Sequence, residues 1–138
     1  MKKIISIGLL GGLMLLTVGL VMGQLFQILD PSLKSEFENA NLFRSWSDPA
    51  MMLFFVHPFL QGIILAWVWT RIKEILQMHS DLKRGIYFGL AVWLACTFPG
   101  MFISYSSFPI SLMMILSWTI SGLVELVFLG IFFSKTLK

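Results

Sequence analysis

The chain has 138 residues, of which 57% are hydrophobic and 12% charged, and its formal net charge is +3. A soluble domain carries about 25% charged residues, so an ordinary water-soluble domain, a disordered chain and a nucleic-acid binder are excluded. The single cysteine, Cys96, excludes an intrachain disulfide, a CxxC redox pair and a cysteine-based zinc site.

The first predicted element is the uncharged apolar run 4–26. Roughly 20 such residues cross the hydrocarbon of a bilayer as a helix. Lys2 and Lys3 before it and Val21-Met22-Gly23 near its end also fit a secretory signal peptide. The run is longer than a usual signal core, and its removal would leave three spans, so a retained helix is expected. Gly8, Gly12, Leu15, Gly19 and Gly23 stay on one face of that helix. Small residues on one face let helix backbones approach closely in lipid. Packing along Gly8, Gly12, Gly19 and Gly23 is therefore expected, within the bundle or, as the alternative, in a homodimer.

An outer loop, 27–49, follows. Asp30-Pro31 is a helix-start signal and predicts a short helix over 31–43, with Leu33, Phe37 and Ala40 on one side. That helix is expected to lie on the outer membrane surface, anchored by Trp46 at the headgroups. A partner-docking surface is the other reading of this segment. Asp48-Pro49 opens the second span, 50–70, as an N-cap followed by proline at the first helical position. Trp67 and Trp69 are expected at its inner boundary. Within it, Pro58 removes the hydrogen bond to the carbonyl of Phe54.

A basic loop, 71–84, leads to the third span, 85–105, which carries Gly85 and Gly89 on a packing face and Pro99, which frees the carbonyl of Ala95. The fourth span is 110–134 and contains a carboxylate, Glu125. Both prolines are expected to kink their helices at similar depth and to open an outward-facing pocket lined by His57, Thr97 and Cys96.

Charge sets the orientation. Lys2, Lys3, Arg71, Lys73, Lys83, Arg84, Lys135 and Lys138 fall on one side of four alternating spans, leaving Lys34 and Arg44 on the other. Basic residues stay cytoplasmic, so eight of the ten place both termini inside. Asp30, Glu36, Glu38 and Asp48 lie in the outer loop. The expected fold is a single-domain (1–138) all-α integral protein of the cell membrane. It has four transmembrane helices in an up-down-up-down bundle, with a short interfacial helix in the first outer loop.

The hairpins carry a repeated pattern. Gly85, Gly89, Val92, Cys96 and Gly100 reproduce the spacing of the first glycine stripe 77 positions later, and Pro109 and Gly122 match Pro49 and Gly62 60 positions later. A parallel duplication would account for both.

Polar residues inside the spans are the candidate site. Glu125 lies nine residues from Ser134, and Gln61 nine from Thr70, so both sit about 13 Å from the inner boundary at ~1.5 Å per residue. A hydrogen bond between them is expected. His57 is one turn further out, near the level of Thr17, Thr97 and Ser121. A carboxylate without a cation in hydrocarbon is costly, so Glu125 is expected as the neutral acid or paired with a protonated His57. Two roles follow: polar contacts that fix helix register, or a proton- or ligand-binding group in a small cavity.

Other chemistries lack their residues. His79 is 22 residues beyond His57, about 33 Å along a helix, so one chain cannot ligate a haem through both. No HExxH, EF-hand loop or Cys/His cluster is present, nor a glycine-rich nucleotide loop or a serine-protease motif, and no cofactor or metal is expected. The basic stretch from Arg71 to Arg84 is a positive-inside loop that can touch anionic headgroups. The sequence therefore predicts a module that binds or transports a proton or a small polar or amphiphilic ligand. The other candidate is an accessory subunit with no chemistry of its own. Expected partners are membrane lipid and a second copy or another membrane protein.

Overall fold

The computed structural model describes residues 1–76 and 78–137; Lys138, one of the basic residues expected inside, falls outside the described residues. The helices are α1 (Lys2–Leu29), α2 (Ser32–Phe37), α3 (Met52–Ile72), α4 (Asp81–Val92), α5 (Phe98–Ser107) and α6 (Leu112–Thr136). A 3-10 turn, Pro49–Met51, precedes α3, and a π-helical segment, Trp93–Thr97, joins α4 to α5. No strand occurs among the described residues. Four stretches, Lys2–Leu29, Pro49–Ile72, Asp81–Ser107 and Leu112–Thr136, are long and apolar enough to cross a membrane.

The helix ends follow local chemistry. Asp48 accepts from the Ala50 N–H at 2.8 Å, with Pro49 in the first turn. That backbone donor and then the Arg44 guanidinium hold the Asp48 carboxyl below the usual carboxylate range. Ser111 caps α6 by accepting from the Met114 N–H at 3.0 Å. Asp30 accepts from both the N–H and the hydroxyl of Ser32, at 3.0 and 2.6 Å.

The helix expected over 31–43 stops at Phe37. The side chain of Asn39 accepts from the Asn41 N–H at 3.0 Å, a local turn bond that competes with the helical ladder. The α2 segment docks against the start of α6. Leu33 is fully buried, against Ile110, Met114 and Ile115, while Ala40 is exposed. The Glu36 carboxylate takes the Ser111 N–H on one oxygen and the Ser111 hydroxyl on the other, both at 2.6 Å. An acid at a helix N-terminus pairs with unsatisfied donors and the helix dipole. So α2 is latched onto the start of α6 and caps that end of the molecule.

Two helix pairs form the body, and each crosses through three glycines. Side-chain atoms placed at Gly8 and Gly12 of α1 would lie 2.6 Å from the Ile63 Cα and 2.5 Å from the Phe59 Cα. Gly62 of α3 sits between them. In the second pair, Cβ atoms placed at Gly85 and Gly89 of α4 would lie 2.6 Å from the Cα atoms of Ile131 and Val127, with Gly130 of α6 between. Only hydrogen fits where backbone meets backbone, and close contact of this kind drives helix association in lipid. The first helices correspond at an offset of 77, as the spacing predicts. The second helices correspond at 68, not 60: Gly62 matches Gly130, whereas Gly122 packs on the Thr97 methyl. Both pairs are antiparallel, since the partner number falls as the glycine number rises.

The pairs join unequally. Gly11 lets α1 run against Leu129 and Phe133 of α6, its added Cβ 2.8 and 3.0 Å from their side-chain atoms. Phe88 stands 77 positions later, where the second pair would need another small residue. Its ring packs edge-on against Trp69 at 5.2 Å and near Phe133 at 6.5 Å. So α4 meets α3 through rings, not backbone. Trp69, expected at a lipid boundary, is buried in this core and donates its indole N–H to the Leu137 carbonyl at 3.1 Å. Lys73 reaches the same carbonyl at 3.3 Å, ties α3 to the end of α6 and satisfies a carbonyl the helix leaves free.

Candidate functional site

One apolar cluster, around Trp69, Phe88 and Phe133, fills the basic end. A second, around Leu33 and Met114, fills the capped end. Between them lies a cavity of about 650 Å³, bounded by α1, α3 and α6 and roofed by Phe37, Glu38, Lys34 and Trp46. Its lower wall is Leu15 and Leu126, and Phe26 and Trp118 stand near the roof.

Five of the six polar residues expected at the site line this cavity: His57, Gln61, Thr97, Ser121 and Glu125. His57 and Gln61 stand one turn apart on α3, and Ser121 and Glu125 one turn apart on α6, so each pair shares a face. Glu125 lies in a groove on α1 that Gly19 leaves open: a Cβ at Gly19 would be 2.9 Å from the carboxylate Oε1. Gly19 was expected to admit a neighbouring backbone, and it admits this carboxylate instead.

The expected Gln61–Glu125 hydrogen bond is not formed. Among the described residues neither Glu125, Gln61 nor His57 has a hydrogen-bond or ion-pair partner in the protein, and all three face the cavity. Thr17 lies outside. It is exposed, and its hydroxyl donates to the Leu13 carbonyl at 2.8 Å. It sits two residues from both Leu15 and Gly19, which turns it roughly to the opposite side of α1.

Cys96, expected beside Thr97 in the pocket, is exposed and does not line it. The π-helical segment explains the exchange. A π turn takes up one residue more than an α turn, so the face slips by one position and Thr97 turns inward onto Gly122. Pro99 follows at the start of α5, where the bulge has already opened the ladder. Pro58 lies inside α3 and sets its own carbonyl against Gly12. Of the glycine stripe, Gly8, Gly12, Gly85 and Gly89 pack backbone on backbone, while a Cβ at Gly23 would meet open space, and Gly23 lines the cavity.

Several wall residues escaped the sequence reading: Gln24, Gln27, Ser117 and the roof charges Lys34 and Glu38. Gln27 continues the Gly19–Gly23 face at the same spacing of four, and that periodicity would have found it. The roof residues depend on where α2 docks, which is a tertiary contact. Among the described residues no three His, Cys, Asp or Glu side chains gather to hold a metal. The site thus combines an apolar wall, one carboxylate at depth and neutral hydrogen-bonding groups, a lining that suits an amphiphilic small molecule. No family model, no curated protein and no solved structure matches the chain.

Proposed function

We propose that the chain is an integral protein of the cell membrane, an up-down-up-down bundle with both termini cytoplasmic. It holds a proton or a small polar or amphiphilic ligand in the cavity between α1, α3 and α6. The capped end then faces outward, because the basic residues gather at the other. Large apolar side chains such as Ile28, Leu53, Phe102 and Ile103, each more than half exposed, meet lipid in this orientation. The observation that carries the reading is the cavity itself. It collects Glu125, Gln61 and His57 in one space with no partner from the protein among the described residues. Polar residues that merely fix helix register bond one another; these face a space large enough for a guest.

Carbodiimide labelling in native membranes separates the two roles. An apolar carbodiimide reaches a protonated carboxyl that opens to a cavity, so Glu125 reacts, and Glu125→Gln abolishes the adduct while leaving the unfolding free energy within about 0.5 kcal/mol. An unreactive Glu125, together with a clear loss of stability in Glu125→Gln, would assign the carboxyl to packing and the chain to an accessory role.

A further inference from the structure

Resting on that reading of the cavity, we propose that its ligand is an amphiphilic organic cation, which competes with a proton for the Glu125 carboxylate.

Charge is the first ground. Glu125 is the only acid or base on the α6 wall, α1 brings only amides and apolar groups, and the π segment brings Thr97. The basic residue Lys34 lines the roof, as does the acidic Glu38. An anionic guest would meet a carboxylate with no cation at its depth. A neutral guest would leave that carboxylate unpaired in a low-dielectric space, which is costly. A cation removes the cost.

The aromatic wall is the second ground. Trp46, Phe54 and Trp118 all line the cavity above the carboxylate, with Trp46 and Phe54 edge to face at 5.6 Å. Aromatic faces attract desolvated cations and also accept apolar substituents. Size is the third. The 650 Å³ volume falls within the roughly 300–1,000 Å³ of drug-sized sites and far exceeds what a proton or an inorganic ion fills.

The remaining titratable group on the wall is His57. It occupies in the first helix pair the position that Glu125 occupies in the second, at the same offset of 68 that relates Gly62 to Gly130. The pairs thus present a base and an acid to one cavity. The exchange balances. The carboxylic acid releases its proton to water, the carboxylate accepts the cation, and a monovalent guest leaves the charge of the site unchanged.

Tetraphenylphosphonium and tetraphenylborate, which match in shape and differ in sign, test this on the full chain in lipid nanodiscs. The cation should bind saturably and, in the pH range where Glu125 holds a proton, release one proton per cation and lose affinity about tenfold for each unit that pH falls. Glu125→Gln should weaken binding at least tenfold and end proton release. Glu125→Asp should keep both and His57→Gln should keep the pH dependence, which guards against a folding defect in one variant. Saturable binding of the borate but not the phosphonium would overturn the cation assignment and leave the binding site standing. Binding of neither would overturn both. Phosphonium binding without proton release, or undiminished in Glu125→Gln, would remove the carboxylate from the proposal.

Discussion

The α1–α3 and α4–α6 pairs use one crossing for two different purposes. In each, two glycines four residues apart on the first helix clasp a glycine on the second, with Cα atoms of the partner where a methyl group would stand. Beyond that crossing they diverge. The first pair is continuous helix on both sides, and α1 carries Gly11 and Gly19 on the face it turns to α6. The second has Phe88 in place of the small residue, a π segment and Pro99. One side of the assembly therefore closes backbone to side chain and the other is propped by rings. The cavity lies above the closed side, with Glu125 set into the gap at Gly19. A shared crossing supplies stability, and the departures from it supply the site.

The comparison breaks most visibly at its centre. Gly62→Leu and Gly130→Leu each force backbones apart, and each should cost about 3 kcal/mol or more in unfolding measured in micelles. Near-equal effects are expected because the two sites are geometrically alike. Gly122→Leu meets only the Thr97 side chain and should cost clearly less. The latch comes next. Glu36→Ala removes the acceptor for two Ser111 donors and should cost about 1 kcal/mol, accompanied by faster hydrogen exchange across α2 and the start of α6. The smallest effect belongs to Asp48, fully outside the helix pairs. Its carboxyl is depressed in the folded chain by the Ala50 N–H and Arg44, so its contribution is present above the unfolded value of about 3.9. It is lost as pH falls through the lower folded value. Asp48→Asn should flatten the stability profile below pH ~4 and lower stability slightly at neutral pH, where the carboxylate's contribution is present.

Much of the frame was legible in the residues. Apolar length set the four long helices within a few residues, because uninterrupted apolar runs have few other structures open to them. Asp48-Pro49 announced a helix start, and the glycine spacing announced the crossing on α1 and α4. What could not be read was partner choice. The spacing of 60 linked Gly62 to Gly122 because both follow a proline by 13 residues, yet Gly130 is the glycine that meets Gly85 and Gly89. The π segment is equally silent in sequence, and it decides whether Cys96 or Thr97 faces inward. Thr17 satisfied a depth argument and failed a rotational one. Depth needs only a residue count, whereas facing needs the helix phase. The roof required knowing that Glu36 meets Ser111, 75 positions away.

In the proposed reading the cavity faces the outer side of a protein that crosses the membrane four times. The most direct test of that reading is thiol accessibility in intact cells, with Cys96→Ser removing the native thiol. A small, charged, membrane-impermeant reagent added outside should modify Ser121→Cys, and tetraphenylphosphonium should slow that reaction, while Lys83→Cys should react only after the cells are opened. Modification of Lys83→Cys from outside, or of Ser121→Cys only after opening, would contradict the account.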